Sequence, residues 1–352
     1  MACEYLALSF IVNEWKIGPK LKKIMFLSFI IPVYNCETYI RKCLDRIANV
    51  NLNPVEFEVV LVDDGSRDRS ALICAEYAGK NGNIRFFQQQ NDGPATARNK
   101  GLDLAKGEFV WFVDADDAIV PSIFEKLKDT IIAYPEADLI SFGYVSQYPD
   151  HEMVCKMVES ETVCTGLDFL NRRGGSFLWN NLYRRSSIGH KRFINGVRHI
   201  EDSCFSIQTI INFKEVVILP DVGYYYNRKN VNSISQGRRL RDRVKANDDS
   251  FIVYNALYRD MQKTTDEQKR AFLWRNLNFS IAAHLYTMLR FDNARTIKRY
   301  ITEYRRMGLY PLEKTGNRKS DRFLLLANHE HLLLWIAKAY SLYKKMIVKR
   351  HI

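Results

Sequence analysis

Residues 108 to 117 read EFVWFVDADD. The apolar run FVWFV is what a strand buried on both faces looks like, and it stops in Asp114, Asp116 and Asp117. Upstream the same arrangement recurs. IMFLSFIIPV at 24 to 33 is an apolar run stopped by Pro32 and Asn35, FEVVLV at 57 to 62 ends in Asp63-Asp64-Gly65-Ser66, and IRFFQQ at 84 to 89 is another strand pattern. Between these lie helical stretches. Glu37 to Asn49 places Ile40, Cys43, Leu44 and Ile47 at i, i+3, i+4 and i+7; a second stretch runs from near Asp68 to Gly79; Ala97, Gly101, Leu104 and Ala105 give a third with a small-residue face. This β-α-β-α-β-α-β order predicts an α/β fold with a mostly parallel sheet flanked by helices, which binds ligands at the carboxyl ends of its strands. The acidic clusters fall at those ends.

The chain has 352 residues, 47% hydrophobic and 26% charged, which excludes disorder, collagen-like repeats and a disulfide miniprotein. Its apolar runs are too short to span a bilayer. The formal net charge of +12 favours polyanionic surroundings: nucleic acid, acidic lipid or a phosphorylated substrate. The seven cysteines are scattered and never spaced C-x-x-C, so a disulfide framework and a zinc site are not expected and a reducing compartment fits. The N-terminal Leu6 to Val12 is short, follows Glu4 and lacks a cleavage site, so residues 1 to 27 are expected to be an extension and not a secretion signal.

Beyond Pro121 the sequence predicts a helix to about Tyr134 and a strand from Leu139 to Val145, then mixed segments around Trp179, Glu201 and Tyr224 to Tyr226. From Gly237 the chain turns helical and basic, with a linker-like stretch at Pro311 to Ser320 before a final helix. Expected are two halves of one domain, 28 to 120 (the donor half) and 121 to 236 (the acceptor half), and a helical basic region from 237 to 352.

Asp114-Ala115-Asp116 sets two carboxylates at a strand end, where both can converge on a hard divalent cation and leave positions open for phosphate oxygens. The same D-x-D also suits a helix cap or a solvated turn. Asp63-Asp64-Gly65-Ser66 makes a turn, and a second carboxylate there can accept from the imide N–H of a uracil-type base. In Asn91 to Asn99, NDGPATARN, a loop opens a helix with Arg98 in an early turn, suited to a nucleotide or equally to solvent. Neither G-x-G-x-x-G nor G-x-x-x-x-G-K-[ST] occurs, so NAD-dependent redox and P-loop chemistry lack their signatures.

In this order PVYN at Pro32 to Asn35, VDDGSRDRS at Val62 to Ser70, NDGPATARNKGL at Asn91 to Leu102 and WFVDADD at Trp111 to Asp117 resemble the family 2 glycosyltransferases, inverting enzymes of GT-A fold. The resemblance covers residues 28 to about 236. It implies a Rossmann-like GT-A domain with a C-terminal helical extension. By position, it places Pro32 and Tyr34 at the nucleotide's base, Asp64 on uracil and Arg98 on the nucleotide. It also puts Asp114 near the ribose or a metal-bound water and Asp116, with Asp114, on Mn²⁺ or Mg²⁺. RFINGVRHIEDSCF at 192 to 205 resembles the family's acceptor segment, whose E-D pair supplies the general base: Asp202, with Glu201 as the alternative. Without the resemblance, either carboxylate is equally a helix cap.

Trp179 is a candidate for stacking on an acceptor sugar, with Tyr224 to Tyr226 weaker ones, though aromatics are more often core. His190, His199, His329 and His331 lack metal-ligand spacing. The expected activity is transfer of a sugar from a UDP-sugar, or another nucleoside diphosphate sugar, to a glycan or lipid-linked acceptor in cell-surface polysaccharide synthesis, at the inner face of the plasma membrane. A basic nucleic-acid-binding protein, prompted by Arg238 to Arg243, and a non-catalytic sugar-nucleotide binder are the alternatives; no helix-turn-helix, RNP or zinc-finger pattern supports the former. In the last helix Leu332, Trp335, Ile336, Ala339, Tyr343, Met346 and Ile347 share a face, with Lys338, Ser341, Lys345 and Lys349 opposite. Such a helix either packs on the protein's own body or lies in an anionic membrane interface.

Overall fold

The computed structural model describes residues 26–50, 53, 56–173, 177–230, 240–316 and 318–350. Residues 1–25 of the expected N-terminal extension, Cys3 among them, and Arg238 and Arg239 fall outside them, while Leu27 at its end already belongs to a strand. Four parallel strands form one half of the sheet: β1 (Leu27–Val33), β2 (Phe57–Asp63), β3 (Ile84–Gln88) and β4 (Phe109–Phe112) lie in the order β3-β2-β1-β4. The crossovers are α1 (Ile40–Ala48), α2 (Ser70–Lys80) and α3 (Pro94–Leu104). Every residue of β2 is buried, and so is every residue of β4, as expected for strands covered on both faces. Close packing of α3 on the sheet explains its small face: a Cβ at Gly101 would lie 2.3 Å from Ile30 Cγ2.

Past β4 the sheet becomes mixed. β5 (Ala118–Ile119), α4 (Ile123–Ala133), β6 (Leu139–Gln147), β7 (Glu152–Cys155), β8 (Thr162–Cys164), α5 (Gly166–Arg173), β9 (Asn181–Arg184), α6 (Arg185–Ile188), α7 (Glu201–Ile210) and β10 (Val216–Asn227) follow. The ten-stranded sheet continues β4-β9-β6-β10-β5, with β9 antiparallel to both β4 and β6. The segments that read as mixed are therefore β9, α7 and β10. One ten-stranded sheet runs through both expected halves, 28 to 120 and 121 to 236.

The helical region comprises α8 (Leu240–Lys263), α9 (Glu267–Phe291), α10 (Ala294–Arg306), α11 (Arg318–Ala327) and α12 (Glu330–Arg350). It shares one apolar core with the sheet domain: Val110, Phe112 and Phe205 belong to the same buried cluster as Leu257, Leu277 and Tyr304. The stretch expected to be a linker is pinned instead. Leu312 exchanges backbone hydrogen bonds of 2.8 Å with the Asn328 amide in both directions, and Glu313 N–H donates to Asn278 Oδ1 at 2.8 Å. Among the described residues no helix is long and apolar enough to cross a membrane. The six described cysteines are free thiols.

Candidate active site

Register brings the acidic clusters together. Val33 pairs with Asp63 across β1 and β2, and Val113 N–H donates to Ile30 O on the other side, so the ends of β2, β1 and β4 open side by side. Tyr34 stands beyond β1 at 46% exposure, with a ring free to stack on a base, while Pro32 is half-buried inside the strand. The adjoining turn is fixed by Asn35, whose φ of 47° suits asparagine. Its Oδ1 accepts from Arg67 N–H at 2.8 Å and its own N–H donates to Ser66 Oγ at 3.0 Å. Asp68 accepts from Ser70 N–H at 2.9 Å, so the start of α2 is capped by Asp68 and not by the Asp63-Asp64 pair.

Asp64 is buried, and both carboxylate oxygens are engaged. Oδ1 accepts from Gln89 Nε2 and Asp92 N–H, each at 2.9 Å; Oδ2 accepts from Gly93 N–H at 2.8 Å and Asn91 Nδ2 at 3.1 Å. Four acceptances fill a carboxylate's capacity, so Asp64 here clamps the Asn91-Asp92-Gly93 loop. Reading a uracil would require one of those partners to exchange. The neighbouring Asp63 Oδ1, by contrast, is a buried oxygen without a partner among the described residues.

Arg98 is not the solvated side chain that its place in the loop allowed. Only 6% exposed, it donates from one amino group to Glu201 Oε1 at 2.7 Å and from the other to Asp114 Oδ1 at 2.8 Å. Burial opposes its charge, but Asp114, Glu201 and Asp202 outweigh that and hold it protonated above the ordinary arginine range. The guanidinium fork thereby ties the D-x-D strand end to the first turn of α7.

Around that fork carboxylates outnumber cations. Burial and the charge of Asp114 raise the carboxyl of Asp116, which accepts from Asn230 Nδ2 at 2.7 Å. Asp117 is lifted well above the usual range by burial and by Asp116 and Asp114; Tyr224 Oη donates to it at 2.8 Å and Asn227 N–H at 2.7 Å. Burial and Asp202 raise Glu201 to about 7, against the pull of Arg98. Asp202 is half-buried and also raised by burial, and it accepts from its neighbour Ser203 N–H at 2.7 Å. Among the described residues no three His, Cys, Asp or Glu side chains converge as a metal cage. Asp114 and Asp116 are nevertheless two hard oxygen donors at one strand end, a donor set compatible with a divalent cation, and their mutual repulsion, which raises Asp116, is the kind of crowding that a cation relieves.

α7 starts under strain. Ile200 sits at φ 55°, ψ 17°, a left-handed conformation that a β-branched residue avoids, immediately before Glu201-Asp202. The preceding loop is held by Asp249 of α8, which is fully buried and accepts from Arg198 N–H at 2.9 Å, His199 Nδ1 at 3.0 Å and Lys245 Nζ at 2.5 Å. Burial opposes ionisation of Asp249, yet these bonds hold its carboxyl below the usual range. Arg198 also reaches Asn91 Oδ1 at 2.7 Å, so the helical region is linked to the loop that Asp64 clamps.

Trp179 does not face an acceptor cleft. Its ring, 5% exposed, lies parallel to Phe177 and Tyr224 at 5.0 and 4.7 Å and against Tyr144 and Tyr226, so it is a core residue. Tyr224 and Tyr226 of β10 and Tyr144 of β6 converge on it from two neighbouring strands, which a linear sequence does not disclose. Tyr224 is fully buried, whereas Tyr225 and Tyr226 are half-buried. His190, His329 and His331 are exposed. Asn227, Asn230 and Asp249 were not singled out in the sequence. The N-x-x-N spacing after β10 was the one signal for the first two, and Asp249 lies within an ordinary helical stretch.

Residues 28–195 match the model of Glycosyl transferase family 2. Putative glycosyltransferase EpsH of Bacillus subtilis is 29% identical over 91% of this chain and 96% of its own length. Poly(ribitol-phosphate) beta-N-acetylglucosaminyltransferase TarS of Staphylococcus aureus is 28% identical over 73% of this chain and 45% of its own. The crystal structure of S. aureus TarS 1–349 with UDP-GlcNAc superposes with a TM-score of 0.69 at 21% identity, covering 91% of this chain and 92% of that one. The motifs at the ends of β1, β2 and β4, the family model laid over them and the shared architecture agree: residues 28–195 form a glycosyl transferase family 2 segment within a chain of GT-A fold with a C-terminal helical region.

Proposed function

We propose that the protein transfers a sugar from a UDP-sugar to a hydroxyl of a glycan or lipid-linked acceptor, with inversion, in cell-surface polysaccharide synthesis. The observation that carries this reading is the Arg98 fork, which joins Asp114 of the donor side to Glu201 beside Asp202. Donor and acceptor chemistry thus share one buried network. Tyr34 stacks on the base, and Asp116 with Asp114 would hold Mn²⁺ or Mg²⁺. When bound, the cation supplies charge neutralisation for the leaving diphosphate. The solved relatives give the nucleotide and the metal their plausibility: TarS was crystallised with UDP-GlcNAc, and a mannosyltransferase from Pyrobaculum calidifontis, similar at a TM-score of 0.50 and 16% identity, with GDP-Man and Mn²⁺.

Asp202 takes the acceptor hydroxyl proton, the oxygen attacks the anomeric carbon, and the bond to the diphosphate oxygen breaks on the opposite face. Glu201 is the weaker candidate, because it is 6% exposed and its Oε1 is bound by Arg98. A base must be deprotonated, so with the Asp202 carboxyl raised by burial, kcat climbs as pH rises through its pKa. The test is Asp202→Asn: donor affinity stays and kcat falls by roughly 10²–10⁴. A variant that keeps full kcat refutes the assignment. The positive charge invites a nucleic-acid reading, but nothing among the described residues favours it, and Arg238 and Arg239, two of the arginines that prompted it, lie outside them.

A further inference from the structure

Residues 237–352 hold 25 Lys and Arg against 11 Asp and Glu, while the rest of the chain holds 27 against 29. The excess positive charge is therefore confined to the helical region. That region also carries an uncovered apolar face. α12 packs through Leu333 and Ala337, which are 0% and 1% exposed, so one side of the helix already satisfies the protein's own core. Part of the expected apolar stripe points elsewhere: Leu332 is 47% exposed and Trp335 66%, with Ala339 also exposed, and Leu342, which the stripe did not include, adds to this side at 61%. Positions 332, 335, 339 and 342 share one helical face, and Leu325 of the neighbouring α11, at 74% exposure, adds to the apolar surface. Ile336 is half-buried; the side chains of Tyr343, Met346 and Ile347 lie outside the described residues.

Two apolar sides on one helix, with only one in the core, mean that the second is kept for an occupant. From the confinement of charge to this region and the exposed Lys338 at the edge of the face, we infer that Leu325, Leu332, Trp335 and Leu342 dock on an anionic lipid surface, with α12 lying in the plane of the interface. Trp and Leu enter the headgroup boundary, while the basic side chains meet the negative surface potential. The helix lies on the bilayer and does not cross it; the lysine at position 338 interrupts the apolar sequence. This placement would bring the active site to a lipid-linked acceptor at the membrane.

The experiment is co-sedimentation of the full chain with vesicles of phosphatidylcholine alone and of an equal mixture with phosphatidylglycerol. Lipid binding is read without donor or acceptor, so its failure leaves the transfer reading intact. Expected is binding to the mixed vesicles that weakens in high salt and little binding to the neutral ones. Leu332→Glu with Trp335→Glu lowers the partition coefficient by about 100-fold, roughly tenfold for each apolar side chain kept out of the interface. Lys338→Glu lowers it several-fold. All three positions are exposed, and unchanged far-UV dichroism and UDP affinity show that the variants fold. Equal pelleting of the double variant overturns the inference, as does equal binding to neutral vesicles. So does a lipid-free dimer, seen by sedimentation equilibrium and dissolved by Trp335→Glu, since it would assign the face to a second copy of the chain.

Discussion

Replacing Arg98 by methionine removes a buried cation from between two carboxylates whose fates then differ. Asp114 has a side chain 31% exposed and can recruit water, whereas Glu201 is 6% exposed and cannot. Breaking a buried ion pair on one side costs about 3–5 kcal/mol, and most of that falls on Glu201. The sign of the pH dependence follows from its pKa. Glu201 is raised to about 7 with Arg98 present, above its unfolded value, so the stability it contributes is complete at low pH and lost as pH rises towards 7. Without Arg98 the carboxyl rises further, and the loss continues past pH 7 at up to about 1.4 kcal/mol per pH unit. Urea unfolding followed by far-UV dichroism at pH 6, 7 and 8 measures this for the wild type, Arg98→Met, Glu201→Gln and the double variant. The penalty of Arg98→Met should grow from pH 6 to pH 8. The double variant should be more stable than the sum of the single losses by roughly 0.5–3 kcal/mol. Additive effects, or a pH-independent penalty below about 1 kcal/mol, would refute the network.

Other outcomes follow from the same geometry. Asp249→Asn should lower kcat while donor affinity changes little, because the strained turn at Ile200 loses the charged acceptor that holds it; steady-state kinetics beside UDP titration separates the two, and an unchanged kcat dismisses the clamp. Trp179→Ala should destabilise by about 3–5 kcal/mol as a core cavity, which thermal or urea unfolding reads directly. A variant that keeps its stability but loses acceptor affinity would restore the stacking role. Glu201→Gln alone should flatten the fall in stability between about pH 5 and 7, and an unaltered pH profile counts against the raised carboxyl.

Much of the donor half was legible because its signals are local. β1, β2 and β4 are short apolar runs that end in the residues they present, and the helix between β1 and β2 shows its face at regular spacing. The acceptor half was less so. β9 is four residues long and enters the sheet between β4 and β6, antiparallel to both, an arrangement no periodicity encodes. Trp179 was misplaced for the same reason: its cover comes from strands far apart in sequence. Arg98 was found as a residue but not as a fork, since its partners Asp114 and Glu201 stand 16 and 103 positions away. Asp64 illustrates the opposite case, a motif residue whose hydrogen bonds are already spent on the loop that follows β3.

Metal and base are proposed to act on opposite sides of one network, and UDP binding measured by calorimetry tests this. The wild type and Asp202→Asn should both bind UDP at least about tenfold more tightly with Mn²⁺ than in EDTA, a difference of about 1.4 kcal/mol, and Asp116→Ala should lose that dependence. UDP binding that is equally tight in EDTA, or that Asp202→Asn abolishes while Asp116→Ala spares it, would contradict the account.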